Sequence, residues 1–465
     1  MVFNSYQFII FFIIVLSLFH SIKISWRPWL LLVASYYFYM SWKFEYGFLL
    51  LASSFISWYA GILVSQTENP IKRKFYFLCG IFSDLSILFF FKYFNFFNFN
   101  TVSFLNLFNL NLEPIALHVL LPVGISFYTF QTLSYTIDVY RRSTEPEKNF
   151  FYFALYASYF PQLVAGPIER TQDLLPQLKR HNEVTKEDVI FGVQKIIWGF
   201  FKKVVIADQV CMYVNYIYNE PDQANGLQLY VATLFFTVQI FADFSGYCDI
   251  AVGTARLMGV RLAENFNRPY LSLSVSEYWL RWHITLGRWL RDYVFFPLNK
   301  GVVDYWRIYL NTIITFLLVG IWHGASWNFV ILGLLNGVLI VLQSLYKKSS
   351  FLPKFKTKFA IGILWFWNFQ LILLGTVLFR AHKLDDIYTV YKTVATGLFS
   401  SSNILGSFSI FDFGISCITS LFLAYTGFFW KEFKFKYNYA FIFIMLMGVL
   451  ILGKNEAESF VYFQF

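Results

Sequence analysis

Three stretches place groups capable of chemistry inside apolar sequence. The first runs Gln239-Ile-Phe-Ala-Asp243-Phe-Ser245-Gly246-Tyr247-Cys248-Asp249. Its two carboxylates and hydroxyl lie within an apolar run spanning 227–255, where a charge costs roughly 2.5–3.5 kcal/mol on insertion scales. Such groups need a reason. Either a helix ends or kinks at Gly246, or Asp243, Ser245 and Tyr247 line the wall of a polar cavity. The second stretch, Glu277 to Asp292, repeats Trp279, Trp282, Leu286, Trp289 and Tyr293 at spacings of three and four. Glu277, Arg281, Arg288 and Asp292 form the opposing face. That pattern predicts an amphipathic helix at the inner interface. On a continuous helix His283 lies about 200° from Arg281, pointing into the protein. It reads as a core histidine bonded to a backbone carbonyl or as a functional group. The third stretch is Gly320-Ile-Trp322-His323-Gly324-Ala325-Ser326-Trp327-Asn328. His323 ends an apolar run among glycines, where a substrate could reach it. The plainer alternative is that the glycines pack helices and His323 snorkels. Gly320 with Gly324, and Gly333 with Gly337, have the spacing that lets helices approach closely.

Of the six histidines, only His283 and His323 have organised polar surroundings. His20 and His118 stand in or near apolar runs without polar company, and His181 and His382 fall in loops. No carboxylate stands at ligand spacing from His283 or His323, so no metal site is expected. Cys79, Cys211, Cys248 and Cys417 are scattered and suggest neither disulfides nor a metal centre. The common phosphate-binding, dinucleotide, nucleophile-elbow and zinc-hydrolase motifs are absent.

Only membrane helices could position these groups. Hydrophobic residues make up 57% of the 465-residue chain and charged residues 14%, with a mean hydropathy of +0.53. Soluble domains average about 45–50% and about 25%. These values exclude a soluble enzyme, a disordered chain and a nucleic-acid-binding module. Continuous rather than alternating apolar runs exclude an outer-membrane barrel. The expected fold is an all-α polytopic membrane protein with eleven or twelve transmembrane helices. The spans fall near 6–22, 28–41, 47–65, 75–98, 116–139, 187–218, 227–255, 307–324, 328–346, 359–379, 408–429 and 438–453. The first lacks a basic n-region and reads as a span, not a cleaved signal. Two broken stretches, 150–168 and 271–299, are expected to be re-entrant or interfacial. With the N-terminus outside, inner loops carry 28 of the 37 Lys and Arg and outer loops five, a strong positive-inside bias, and twelve crossings return the C-terminus outside. Lys92, Lys195, Lys202 and Lys203 remain inside spans. The net charge of +10 reflects those inner loops. The Asn-rich stretch 95–111 reads as an outer loop. No internal repeat supports an inverted-repeat transporter. The chain reads as a single domain, with a core over about 115–345 and C-terminal helices over 359–453.

The run from Gln239 to Lys300, QIFADFSGYCDIAVG followed by ENFNRPYLSLSVSEYWLRWHITLGRWLRDYVFFPL, resembles the membrane-bound O-acyltransferase family in its bacterial polysaccharide O-acetyltransferase branch. So do Tyr159-Phe-Pro-Gln-Leu-Val-Ala-Gly-Pro-Ile-Glu169-Arg170, Gly320-Ile-Trp322-His323-Gly324-Ala325-Ser326-Trp327, the opening MVFNSYQF and the final VYFQF. The resemblance covers essentially the whole chain. It implies a many-helix bundle around a central tunnel, with His323 as catalytic histidine and His283 as a second functional position. Asp243, Ser245, Tyr247, Trp282, Trp322, Ser326 and Asn328 are then candidates to line the tunnel. Arg281, Arg288 and Arg291 are candidates to meet the phosphates of CoA, their alternative being ordinary inner-face retention. The implied reaction takes acetyl from cytoplasmic acetyl-CoA, a substrate rather than a bound cofactor. Acetyl then moves toward hydroxyls of an exported polysaccharide, alginate-like, peptidoglycan or another surface glycan. A periplasmic SGNH or esterase-like acetyltransferase partner is implied, in the bacterial inner membrane, and no nucleic acid. D-alanyl transfer within the same family, or an acyl or glycan transporter, are the competing readings.

Overall fold

The computed structural model describes residues 1–180, 182–301, 303–348, 357–400, 403–429, 439–453 and 460–461. His181, the basic runs over 349–356 and 431–436, Lys454 and most of the terminal VYFQF lie outside the described residues. Among those described, the regular elements are helical. In chain order they are α1 (Tyr6–Ser21), α2 (Arg27–Met40), α3 (Phe44–Gln66), α4 (Pro70–Leu88), α5 (Phe94–Asn106), α6 (Ile125–Tyr140), α7 (Phe150–Ser158), α8 (Phe160–Leu163), α9 (Thr171–Lys179) and α10 (Lys186–Phe200). There follow α11 (Asp208–Tyr218), α12 (Gly226–Leu257), α13 (Val275–Arg281), α14 (Ile284–Leu290), α15 (Phe296–Asn299), α16 (Tyr305–His323), α17 (Trp327–Lys348), α18 (Lys358–Arg380), α19 (Leu384–Gly397), α20 (Ile410–Phe429) and α21 (Tyr439–Leu452).

Each of the twelve expected runs contains helix. Seven helical stretches among the described residues are long and apolar enough to cross a membrane, and α1 and the end of α21 add two shorter apolar helices. The stretches 150–168 and 271–299 are broken into short helices, as expected of segments that do not cross. One expectation changes. The helix that begins at Pro70 continues to Asn106 through a π-helical turn at Phe89–Tyr93, so most of the predicted Asn-rich loop is helix. Asn95, Asn98 and Asn106 share one face, and they bond an extended return. Asn95 exchanges two hydrogen bonds of 2.9 Å with the backbone of Leu117, Asn98 donates to the Ile115 carbonyl, and Asn106 pairs with Leu112. Those side chains satisfy backbone groups that a helix would satisfy itself. Accordingly α6 begins only at Ile125.

The chain divides into two compact units, residues 1–193 with 251–263, and 194–250 with 264–465. In the first, α3, α4 and α6 pack together. Asp84 is buried there and accepts hydrogen bonds from Ser53 (2.8 Å) and Ser57 (2.6 Å). The Tyr159–Arg170 stretch is almost wholly buried. Gln162 and Gln131 join their side-chain amides, Gln131 donates to the Tyr156 carbonyl, and Glu169 accepts the Ala263 N–H. These bonds give that motif a structural role in this unit. The second unit holds all the histidine and carboxylate stretches singled out above.

Candidate active site

The first feature is a buried charge network. Between α10 and α11 the chain runs as a π-helical segment, Phe201–Ala207, a local widening often found at functional sites. Lys202 and Lys203 lie in it, about two helical turns beyond Lys195. The opposing helix, α12, is unbroken from Gly226 to Leu257, so the helix does not end at Gly246. Gly246 instead permits close approach, since a Cβ there would stand 2.8 Å from the Gly199 carbonyl oxygen. The glycine contact lets the lysines reach the carboxylates across it. Lys195 and Lys202 grip the two oxygens of Asp249 at 3.0 and 2.7 Å. Lys202 also donates to Ser245 at 2.8 Å, and Lys195 pairs with Glu264. Lys203 bridges Asp208 (2.8 Å) and Asp243 (2.9 Å). The Val461 N–H donates to the second Asp243 oxygen at 2.7 Å. Buried charges persist when paired and hydrogen-bonded in this way.

Beside this network lies a cavity of about 400 Å³. Lys195, Lys202, Ser245, Asp249 and Arg268 form its polar side, and Trp198, Phe241, Phe266, Tyr270, Trp365 and Phe369 its apolar side. The Arg268 guanidinium is held by the Gly427 carbonyl.

The tryptophan-rich stretch is two helices rather than one. Ser274 caps α13 by accepting the Glu277 N–H, and the Glu277 carboxylate accepts the N–H of Leu273, the residue before the cap. Arg281 closes on Glu277 at 2.5 Å, one helical turn away. The helix then breaks at His283, whose φ of 44° and ψ of 55° are left-handed, a region uncommon outside glycine. The 200° projection therefore does not apply, yet His283 is 1% exposed. Asn265 makes the break possible. Its backbone carbonyl accepts the Ile284 N–H at 2.9 Å, and its side-chain oxygen accepts both the N–H (3.1 Å) and the hydroxyl (2.9 Å) of Thr285. The same oxygen stands 3.2 Å from His283 Nδ1. Burial pushes the His283 imidazole well below its ordinary pKa, and the nearby His323 adds to that depression. Phe244 meets the ring edge-on at 4.8 Å.

His323 ends α16, which returns as α17 in a tight hairpin. A Cβ on Gly320 would stand 2.1 Å from the Phe329 carbonyl oxygen, and one on Gly333 2.4 Å from that of Phe316. Gly337 abuts Ile313. The expected small-residue packing is thus present, except that Gly324 faces the Phe329 ring. Trp322 lies between the histidines, its ring centroid 5.6 Å from His283 and 5.0 Å from His323. Phe379 of α18 meets His323 from another side at 5.2 Å. His323 lines a small pocket of about 60 Å³, with Trp282, Tyr278, Asn336, Gly375 and Phe379 among its walls. Tyr270 lines this pocket and the large cavity alike. Its hydroxyl donates to the Thr237 carbonyl at 2.7 Å, and its own carbonyl accepts the Trp365 indole N–H. Tyr270 is the partition between the two spaces.

The sequence model of the membrane-bound O-acyltransferase family matches residues 27–379, which include both histidines and every wall of the small pocket. The chain belongs to the membrane-bound O-acyltransferase family. It is 35% identical to the probable alginate O-acetylase of Azotobacter vinelandii over 427 residues, covering 91% of this chain and 82% of that one. It is 33% identical to the peptidoglycan O-acetyltransferase of Helicobacter pylori, covering 79% and 73%. The teichoic acid D-alanyltransferase of Bacillus subtilis is 31% identical over 242 residues, 49% of this chain and 60% of the relative. This chain is an acyltransferase of the membrane.

In this acyltransferase the residues singled out by sequence are dispersed. His323 and Trp282 line the small pocket, and Ser245 lines the large cavity. Asp243 and Tyr247 line neither. Asp243 is held by Lys203, and the Tyr247 ring lies 4.7 Å from that of Phe460. Trp322 is packed between the histidines. Ser326 opens α17 by accepting the Val330 N–H, and Asn328 donates to the Ala381 carbonyl at 2.7 Å. None of the three arginines lines either space: Arg281 serves Glu277, Arg291 pairs with Asp292, and Arg288 is exposed. The cations at the large cavity are Lys195, Lys202 and Arg268. Sequence reasoning noted the two lysines inside a span without assigning them a role. Their seven-residue spacing, opposite aspartates in another apolar run, was the available signal. Asn265 and Tyr270 carried no signal of their own.

Proposed function

We propose that this acyltransferase takes acetyl from cytoplasmic acetyl-CoA and passes it outward to a hydroxyl of an exported glycan, by way of a periplasmic esterase-like partner. One observation carries the reading. A large cavity with three cations on its polar side adjoins, across a single tyrosine, a small pocket that presents His323. The large cavity suits the polar arm of the donor, and a pocket of about 60 Å³ suits a short acyl group. The acceptor oxygen attacks the thioester carbonyl, the carbon–sulfur bond breaks, and the thiolate leaves. His323 takes the proton from the attacking hydroxyl and returns it to the departing sulfur. Neutral imidazole suits this task near pH 7. The similarity to acetylases of alginate and peptidoglycan supports acetyl as the group transferred. A chain in the inner membrane, with both termini on the outer side, gives the donor its inner entry.

The test uses proteoliposomes with radiolabelled acetyl-CoA outside and a soluble glycan, with or without candidate partner, within. Intact protein should release CoA and label the lumenal acceptor, and His323→Ala at matched expression should not. Label that crosses as unreacted acetyl-CoA would overturn the transferase reading in favour of transport. Equal transfer by His323→Ala would overturn the assignment of His323.

A further inference from the structure

We infer that Asn265 is a positioning residue that holds His283 in its Nδ1–H tautomer, making Nε2 of His283 a proton acceptor. The inference deepens the reading of this site and rests on it for its kinetic arm alone.

The geometry decides which atom of Asn265 faces His283. A backbone N–H can only donate, and the N–H of Thr285 points at the Asn265 side-chain atom 3.1 Å away. That atom must be the carbonyl oxygen. The Asn265 amide nitrogen meanwhile turns to Cys248 Sγ at 3.5 Å. An amide oxygen accepts and never donates. His283 Nδ1, 3.2 Å from it, must therefore carry the proton of the neutral ring, and Nε2 keeps the lone pair. Such a histidine cannot donate a hydrogen bond from Nε2 to a thioester carbonyl. It can receive a proton there, becoming an imidazolium whose Nδ1–H still reaches the Asn265 oxygen.

The same residue sets where the ring stands. Asn265 takes the N–H of Ile284 on its backbone and both donors of Thr285 on its side chain. These bonds cap the start of α14 and hold the left-handed conformation of His283 between α13 and α14. One side chain thus fixes backbone, tautomer and ring direction together. The titratable and charged groups around this clamp are few. His323 of α16 lies beyond Trp322, Cys248 of α12 lies behind the amide, Glu264 is engaged by Lys195, and Arg281 is engaged by Glu277.

Two readouts test this, and the first does not need activity. Protein labelled with 15N-histidine in lipid nanodiscs should show the His283 ring, identified by its loss in His283→Gln, protonated on Nδ1 at neutral pH. A spectrum with Nε2 protonated would overturn the inference whatever the enzyme transfers. The second uses Asn265→Asp, which keeps the accepting oxygens and adds a negative charge beside Nδ1. A neighbouring opposite charge raises such a pKa by about 1–3 units. The low-pH limb of the transfer rate should then move upward by at least about one unit, and the labelled imidazole should titrate with it. An Asn265→Asp protein that folds, yet leaves the His283 titration where it was, would also refute the assignment. If the variant does not fold, the tautomer of the native protein still decides.

Discussion

The large cavity and the small pocket share a wall but are built on opposite electrostatic plans. The cavity's polar side is dense with charge, and every lysine at it is spoken for: Lys195 and Lys202 by Asp249 and Glu264. The pocket holds no formal charge among its lining residues. Its chemistry rests on imidazole, indole and amide. On the function proposed here, the difference would separate binding from reaction. Paired charges join the helices at the cavity, while the pocket sets its histidine among uncharged side chains. Tyr270 keeps the two environments distinct.

The strongest test of that contrast is to remove the reacting group. His323→Ala should lower transfer by about 10²–10⁴-fold, the usual worth of a general base, without lowering the melting temperature in detergent. Removing charge from the other side should do the reverse. Asp249→Ala leaves Lys195 and Lys202 short of a shared partner, and breaking a buried pair costs about 3–5 kcal/mol. Thermal unfolding in detergent should show the loss, and restoring neutrality with Lys202→Met in the same protein should recover part of it. A variant as stable as the parent would show that the network is not structural.

The partition is the next place to press. Tyr270→Ala should merge the two spaces, raising the rate with butyryl-CoA relative to acetyl-CoA. Tyr270→Phe, which loses one hydrogen bond worth about 1 kcal/mol, should keep acetyl preference. Smaller still is the effect of pH on stability through His283. Its folded pKa is depressed, so below about pH 6.5 the unfolded chain binds a proton the folded chain does not, and stability falls as pH falls. His283→Gln should flatten that limb in a melting-temperature series. Least of all, Arg288→Ala should change the KM for acetyl-CoA less than about twofold, as expected of an exposed side chain away from a site. Arg268→Ala, at the cavity wall, should raise it measurably more.

Much of the site was legible because membrane burial makes polar residues conspicuous. Asp243, Asp249, His283 and His323 stood out against apolar sequence for that reason. Their partners were harder to see. Lys202 and Asp249 are 47 positions apart in the chain, and only the glycine contact of Gly199 with Gly246 brings their helices close enough to pair. The three arginines stand away from both spaces for a related reason. Arg281 and Arg291 have near neighbours in sequence, Glu277 and Asp292, that engage them locally. The break at His283 was illegible because the heptad-like spacing of tryptophans continues across it. What interrupts the helix is Asn265, a residue 18 positions away.

The sequence by itself determined the class of molecule, the approximate helices and the family, and it singled out the two histidines as candidates. Those follow from composition, apolar run length and linear motifs, all of which are properties of neighbours along the chain. Tertiary structure alone decided which lysine meets which carboxylate, that Tyr270 divides the cavity from the pocket, and which nitrogen of His283 carries its proton. Each of these depends on which atoms from distant segments stand within about 3 Å of each other, the range over which hydrogen bonds act.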